Sequence, residues 1–272
     1  MYKILDKKSL NNDVDLMVID APLVAKNALP GHFVILRVDE EGERIPLTIA
    51  ALEENHVTII YQKMGQATQQ LGFLDVGDTI EDFVGPLGQA AHLKDKKHVV
   101  GVAGGVGAAP LLPQLKSYHQ QGTHTTLILG GRTKDHVILK DHYDFVDRLI
   151  VATDDGSEGI HGRVTDALAP LLRDDQSIDH VIAIGPVLMM EAVRDLAVDH
   201  HKSIDVSLNP IMIDGTGMCG NCRVTLGDQV KFACIDGPDF PGETVDFKEL
   251  HARQNYYKKE EHACLVGVKT HD

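Results

Sequence analysis

Cysteine is scarce in this chain of 272 residues: there are four, and three of them, Cys219, Cys222 and Cys234, lie close together. A disulfide framework is excluded on those numbers, and a reducing, cytoplasmic setting is expected. Positive charge is short as well. Lys and Arg number 26 against 40 Asp and Glu, a formal net charge of −14, which argues against wrapping a phosphate backbone and so against nucleic acid as a partner. No apolar run approaches the ~20 residues needed for a membrane span. Met1-Tyr2-Lys3-Ile4-Leu5-Asp6-Lys7-Lys8 enters a charged, strand-like opening with no secretory signal. The 15 histidines are scattered without paired spacing, and no Ser-His-Asp or hydrolase metal set competes for attention.

What is present begins with the cysteines. Asp214-Gly215-Thr216-Gly217-Met218-Cys219-Gly220-Asn221-Cys222 is followed eleven residues later by Cys234. The spacing is that of a plant-type iron–sulfur loop, with an aspartate in the first ligand place. A small cluster must be wrapped by one loop whose donors all point inward, and the three glycines allow that tight path. Carboxylate is harder than thiolate but adequate for ferric iron, so Asp214, Cys219, Cys222 and Cys234 form the candidate ligand set of a [2Fe-2S] cluster. A structural zinc site or inert thiols are the alternatives. Zinc sites of this kind usually pair two Cys-x2-Cys units or add spaced histidines, and neither occurs here. Cys264 stands apart and reads as a buried thiol.

Upstream, residues 1–94 form short Val- and Ile-rich runs broken by Gly, Pro and Asn, including Asp15–Asp20, Pro30–Val38, Arg44–Ala50 and Val57–Gln62, which predict a small antiparallel barrel. A short helix entered through Gly65 and Thr68 could offer free amides to a phosphate. Residues 95–202 change character. His98–Ala103 is a continuous apolar strand, Gly104-Gly105-Val106-Gly107 a glycine turn, and Leu111–Gln121 a helix, which together open a nucleotide-binding βαβ unit. Further strands at 125–129, 148–153 and 180–185 alternate with helices at 164–172 and 188–198, predicting a doubly wound parallel sheet. These strands end in Gly104-Gly105, Gly130-Gly131-Arg132-Thr133, Asp154-Asp155 and Gly185-Pro186, so the ends cluster where such sheets bind a dinucleotide. In residues 203–272, a hairpin with a Gly227-Asp228 turn carries Cys222 at one end and Cys234 at the other, and the tail after Phe247 reads as a polar helix that caps the module or faces a partner.

Taken together, these residues resemble the ferredoxin-reductase-like flavoprotein family, and more narrowly the electron-transfer subunits of type B dihydroorotate dehydrogenase and of NADH-dependent reduced ferredoxin:NADP oxidoreductase. Ser207-Leu208 leading into the Asp214–Cys222 loop and Cys234 is the most specific part; the aspartate favours the second relative. The resemblance implies FAD in the barrel, NAD(H) in the middle domain and the cluster at the C-terminus. It implies that Pro46 and Leu47 meet the flavin with Thr48 as the catalytic hydroxyl near N5. Tyr61, Gln62, Gly65, Ala67 and Thr68 would hold the ribityl and pyrophosphate portions. Gly104, Gly105, Gly107, Arg132, Asp154, Gly185 and Pro186 would hold the nicotinamide nucleotide. Where the family's flavin motif has arginine this chain has Ile45, with Arg44 one residue early and facing the other way.

A chemical argument leads to the same division. Hydride transfer moves two electrons, an iron–sulfur cluster takes one, and a flavin between them handles both. The expected function is an electron-transfer flavoprotein subunit that passes electrons between NAD(H), FAD and a [2Fe-2S] cluster to a partner. That partner would be a glutamate-synthase-like flavoprotein or a dihydroorotate dehydrogenase catalytic subunit, with ferredoxin as a further electron partner. Running in reverse to reduce NAD is the alternative within the class; a non-catalytic redox-sensing module is the alternative outside it. Asp154 and Asp155 would repel a 2′-phosphate, which favours NAD, while Arg132 pulls toward NADP.

Overall fold

A computed structural model describes residues 1–93 and 95–260. Seven strands make the first sheet: β1 (Tyr2–Ser9), β2 (Val14–Asp20), β3 (Phe33–Arg37), β4 (Ile45–Glu53), β5 (His56–Gln62), β6 (Thr79–Ile80) and β7 (Asp82–Leu87). Their order is β6-β1-β2-β5-β4-β3-β7. The two outermost strands, β6 and β7, are separated in sequence by Glu81 alone, so the sheet has rolled up until its edges nearly meet. Alternate residues fill the interior, with Ile4, Met17, Ile19, Val34, Leu36, Val57, Ile59, Tyr61 and Phe83 in one apolar cluster. Helix α1 (Pro22–Asn27) covers one part of the barrel, and α2 (Gln66–Phe73) contributes Leu71 to its core.

The second sheet comprises β8 (His98–Gly104), β9 (His124–Gly131), β10 (Arg148–Thr153), β11 (Ile160–His161), β12 (His180–Ile184) and β13 (Ser203–Ser207). Those strands pair in parallel, and α3 (Ala108–Gln120), α4 (Val164–Asp174) and α5 (Val187–Asp199) connect them. Strand order β11-β10-β9-β8-β12-β13 is doubly wound, as expected from the alternation. β13 hydrogen-bonds to β12 along residues 203–206, so a division between 202 and 203 does not coincide with the edge of this sheet.

The third unit holds the hairpin β14 (Arg223–Leu226) and β15 (Gln229–Phe232), the short helix α6 (Ala233–Asp236), β16 (Asp239–Pro241) and α7 (Phe247–Arg253). β16 returns to the second sheet and pairs antiparallel with β13, Val206 opposite Phe240. The sequence pattern gives no sign of this strand, because three residues are too few for any period to register. Phe247 and Leu250 of α7 are buried in the cluster that also contains Cys222, Cys234, Val206 and Phe33. The first turns of the tail therefore cap the module; Cys264 lies outside the described residues.

Three units share two cores. Barrel residues Ala50 and Ile60 pack with Ala108, Ala109 and Leu111 of α3, and barrel residues Phe33 and Ile35 pack into the core that includes the cysteine module.

One buried histidine ties stability to pH. His98 stands at the start of β8, with Ser177 Oγ 2.9 Å from Nδ1 and Thr126 Oγ1 2.9 Å from Nε2. Ser177 Oγ already donates to Asp175, so it accepts from Nδ1–H, and Nε2 accepts from Thr126. Burial, and then the neighbouring His124 ring, hold the imidazole below its usual range against the pull of Asp175, Asp179 and Asp147. A lowered folded pKa means that the unfolded chain binds the proton first, so stability falls as pH drops below the unfolded value of about 6.5. The urea midpoint is expected to fall on going from about pH 7.5 to about pH 5.5. Changing His98→Gln should flatten that dependence; a slope as steep in the variant would assign it to other groups.

Candidate functional site

Strand β4 is the centre of the candidate site. It is paired on one side with β3, Thr48 opposite Phe33 and Pro46 opposite Ile35. The two-residue alternation sends Ile45 and Leu47 against the barrel core, and Pro46, Thr48 and Ala50 to the outer face, where Ala50 meets α3. On β5, Tyr61 is 1% exposed and turned into the barrel, with its hydroxyl unpartnered among the described residues. Burial, reinforced by Asp15, keeps that phenol protonated well above its ordinary range. The side chains of Leu47 and Tyr61 thus turn into the barrel, and Gln62, next in the alternation, turns the other way.

The start of α2 lies nearby. Thr68 Oγ1 accepts from the amides of Met64 and Gly65 and donates to the Gly65 carbonyl, so that hydroxyl closes the helix entrance instead of reaching outward. Ala67 is buried beneath it.

The glycines after β8 divide into two kinds. A Cβ on Gly107 would sit 2.1 Å from the Ile184 carbonyl oxygen, and one on Gly104 would sit 2.6 Å from Met189 Sδ and 3.0 Å from Pro186 Cδ. These positions are glycine because the exits of β8 and β12 press together, with Gly185 against the Gly104 amide. Gly105 differs: its φ is +54 and nothing lies within 4 Å of a Cβ built there. Its backbone is the part of the turn open to a ligand. At the ends of β9 and β10, Arg132 and Asp154 are exposed. Asp154 lines an open cavity of about 670 Å³ with His161, Gly162, Arg163, Thr165 and Asp166. His161 ends the short strand β11 and Arg163 lies two residues beyond it; no motif in the sequence marks either.

In the loop between β13 and β14, Gly215, Gly217 and Gly220 have φ of +80, +82 and +72, the left-handed backbone that glycine adopts without strain. Cys222 and Cys234 are buried with their sulfurs 3.1 Å apart; the two-residue turn of the hairpin brings them together as its spacing implies. The Gly217 amide donates to the Cys234 sulfur. Cys219 is exposed. The Asp214 carboxylate accepts from the Thr216 amide, the Thr216 hydroxyl and the Met218 amide, all at Oδ2; these bonds hold its pKa below the usual carboxylate range. Among the described residues no three of these donors converge on a common point. They still fit an iron–sulfur group. Two thiol sulfurs are in contact, an amide donates to one of them, and a third thiol and a carboxylate lie on the same glycine-bent loop, a donor set whose chemistry suits ferric iron.

Two side chains from outside, Arg44 and Arg253, hold this loop, and a third, Gln89, holds α6 behind Cys234. Arg44 does not face the barrel's outer wall but reaches the carbonyls of Ile213 and Asp214. Gln89 Nε2 donates to the Ile235 carbonyl at 2.7 Å, and Arg253 of α7 donates to that of Asn221 at 3.1 Å. No local pattern could have revealed contacts that span 169, 146 and 32 residues.

Comparison with known proteins adds the relationship. Residues 209–246 match the iron-sulfur cluster binding domain of dihydroorotate dehydrogenase B, and residues 102–195 match the oxidoreductase NAD-binding domain. The dihydroorotate dehydrogenase B electron-transfer subunit homolog of Thermotoga maritima is 44% identical, covering 96% of this chain and 93% of that protein. The chain belongs to the dihydroorotate dehydrogenase B electron-transfer subunit family. Among archaeal members, the probable subunit of Methanocaldococcus jannaschii is 34% identical over 80% of this chain and 81% of its own. A solved chain of NADH-dependent reduced ferredoxin-NADP oxidoreductase superposes with a TM-score of 0.94 at 42% identity, covering 99% of this chain and 98% of that one. The ferredoxin NADP+ reductase of Neisseria gonorrhoeae, at 18% identity and a TM-score of 0.61 over 73% of this chain and 90% of its own, shares the fold. As a member of the electron-transfer-subunit family, the chain is an oxidoreductase subunit with NAD-binding and iron–sulfur-binding domains. No helix among the described residues is long and apolar enough to cross a membrane.

Proposed function

We propose that this subunit binds FAD on the outer face of β4, takes up NADH at the ends of β8, β9, β10 and β12, and passes single electrons through a [2Fe-2S] cluster to a partner oxidoreductase subunit. The observation that carries the reading is the run Arg44–Ala50. Its first residue bonds to the cysteine loop, and its last packs on the helix that begins directly after the glycine turn. One strand thus borders both the site for a two-electron donor and the site for a one-electron carrier. The bound groups would supply hydride and electron transfer; the protein's work is to position them. Pro46 and Thr48 present a face and a hydroxyl, and Gln62 an amide. Gly65 and Thr68 shape the start of α2. Gly105 opens the backbone of the turn, and Gly104, Gly107, Gly185 and Pro186 set its shape. Asp214, Cys219, Cys222 and Cys234 would hold the iron.

Partner choice follows from relatives. Similarity at full length to the ferredoxin-NADP oxidoreductase chain, together with aspartate at position 214, favours a large flavoprotein partner of that type over a dihydroorotate dehydrogenase catalytic subunit. The decisive measurement is anaerobic titration of natively purified protein with NADH and NADPH. It is expected to contain FAD, iron and sulfide, and to bleach with NADH at higher kcat/KM than with NADPH. Asp154 and Asp166 place negative charge around the cavity where a 2′-phosphate would sit, against the opposing Arg163. Changing Asp154→Asn should narrow the preference. A sample faster with NADPH overturns the nucleotide assignment, and one that holds neither flavin nor iron overturns the function.

A further inference from the structure

The cysteine loop is gripped by two guanidinium groups that come from opposite ends of the chain. Arg44, in the turn entering β4, donates from Nε to the Ile213 carbonyl at 3.0 Å and from Nη2 to the Asp214 carbonyl at 3.4 Å. Arg253, near the C-terminal end of α7, is 7% exposed. It donates from Nη2 to the Asn221 carbonyl at 3.1 Å, and the Tyr256 ring lies 5.4 Å from its guanidinium carbon. Arg253 has no ion pair among the described residues, and its Nε has no hydrogen-bond partner there. Arg44 has one carboxylate in range, Asp82 at 3.9 Å, but the same Asp82 oxygen is already bonded to Arg37 at 2.7 Å. Neither guanidinium charge is therefore neutralised by a close carboxylate of its own.

We propose that Arg44 and Arg253 are positioning residues that fix the ligand loop from both sides and bias the electron carrier it holds toward the reduced state. The proposal rests on the functional reading above. Its first step is geometric. The carbonyls of Ile213, Asp214 and Asn221 are turned outward to the arginines, which commits these peptide units and helps set where Asp214 and Cys222 stand. The second step is electrostatic. Reduction adds one negative charge at the ligand set, and a fixed positive charge nearby favours that state; the effect is larger for a buried guanidinium than for an exposed one. The two cations also hold the two ends of the ligand run: Arg44 bonds to the Asp214 carbonyl, and Arg253 to that of Asn221, the residue that precedes Cys222. Arg44 is in addition two residues before Pro46. A single backbone segment thus links the flavin face of β4 to the loop.

The test is an EPR-monitored reductive titration of the full chain with four single substitutions, Arg44→Gln, Arg44→Lys, Arg253→Gln and Arg253→Lys. Iron and flavin content and amide exchange at residues 213–222 are measured alongside. Each glutamine variant that retains its iron should make reduction of the cluster about tenfold less favourable, equal to about 59 mV for one electron. Each lysine variant, keeping the charge but losing the planar fork, should stay near the wild-type potential while the amides of the loop exchange faster. Wild-type potentials in both glutamine variants would overturn the proposal, as would lysine variants shifted as far as the glutamine ones. If Arg253→Gln does not fold, the Arg44 pair decides alone, since that side chain is one-third exposed and its loss leaves no cavity in a core. A wild-type chain without flavin or iron would instead sink the functional reading on which this rests.

Discussion

Changing Asp214→Asn is expected to leave the loop folded and yet strip it of stable iron. All three hydrogen bonds to Asp214 land on Oδ2, and an asparagine carbonyl can accept the same bonds from Thr216 and Met218. What asparagine cannot do is offer an anionic oxygen to a ferric ion from the other side of the group. Oδ1, which takes none of those bonds, is the atom free for that purpose. The substitution therefore separates two roles that alanine would remove together, capping the turn and binding metal. Iron and sulfide per chain should fall to half or less on desalting, while the far-UV spectrum and flavin content persist. Asp214→Cys should keep a [2Fe-2S] centre with altered absorption and a lower potential, because thiolate donates more electron density than carboxylate. Full iron and an unchanged spectrum in the asparagine variant would reduce Asp214 to a turn cap.

The glycine turn gives the second large effect. Gly107→Ala is expected to destabilise the protein by about 3 kcal/mol through overpacking, because its methyl group would lie 2.1 Å from the Ile184 carbonyl oxygen and 2.6 Å from the Ile184 carbonyl carbon. Both contacts are backbone, so no side chain can swing aside, and β8 and β12 must separate at the ligand edge of the sheet. The urea midpoint and NADH binding should fall together. Gly105→Ala makes the contrast. Its methyl group meets open space, so the folding cost is that of the positive φ alone, about 1–2 kcal/mol, but the methyl would occupy a part of the turn open to a ligand. Here KM for NADH should rise several-fold with a smaller fall in the urea midpoint than Gly107→Ala produces. A Gly107→Ala protein as stable as wild type would show that the two strand exits can part freely.

Features written in contiguous residues were legible in the sequence, and those written across the chain were not. The turn Gly104–Gly107 and the loop Asp214–Cys222 are local devices, each specified by a spacing, and the hairpin that unites Cys222 with Cys234 needed only a two-residue turn. Strand β5 shows where local reading fails. Ile59, Ile60 and Tyr61 are all buried, because one face fills the barrel and the other lies under α3, so alternation could not say which way Tyr61 points. The same ambiguity does not affect Ile45, since the cation beside it marks which of the two turns from the core, and Ile45 packs against the barrel cluster. Where Arg44 goes was beyond any pattern, because its partner is the carbonyl of a residue 169 positions later. β13 was missed as a sheet member because its single period, Ile204 and Val206 inward, looks the same at the edge of a parallel sheet as in an isolated strand.

β16 has a consequence beyond holding the third unit in place. Strands of the second sheet run parallel from β11 to β13, and β13 would end the array with a bare row of amides and carbonyls. Residues 239–241 cover that row, and they do so from more than thirty positions downstream. A fragment cut at the apparent end of the nucleotide domain, or a nascent chain halted before Asp239, carries an unpaired edge able to template aggregation with another copy of itself. Protection of the nucleotide-binding sheet's edge is in this sense conferred by residues 239–241, downstream of Cys234.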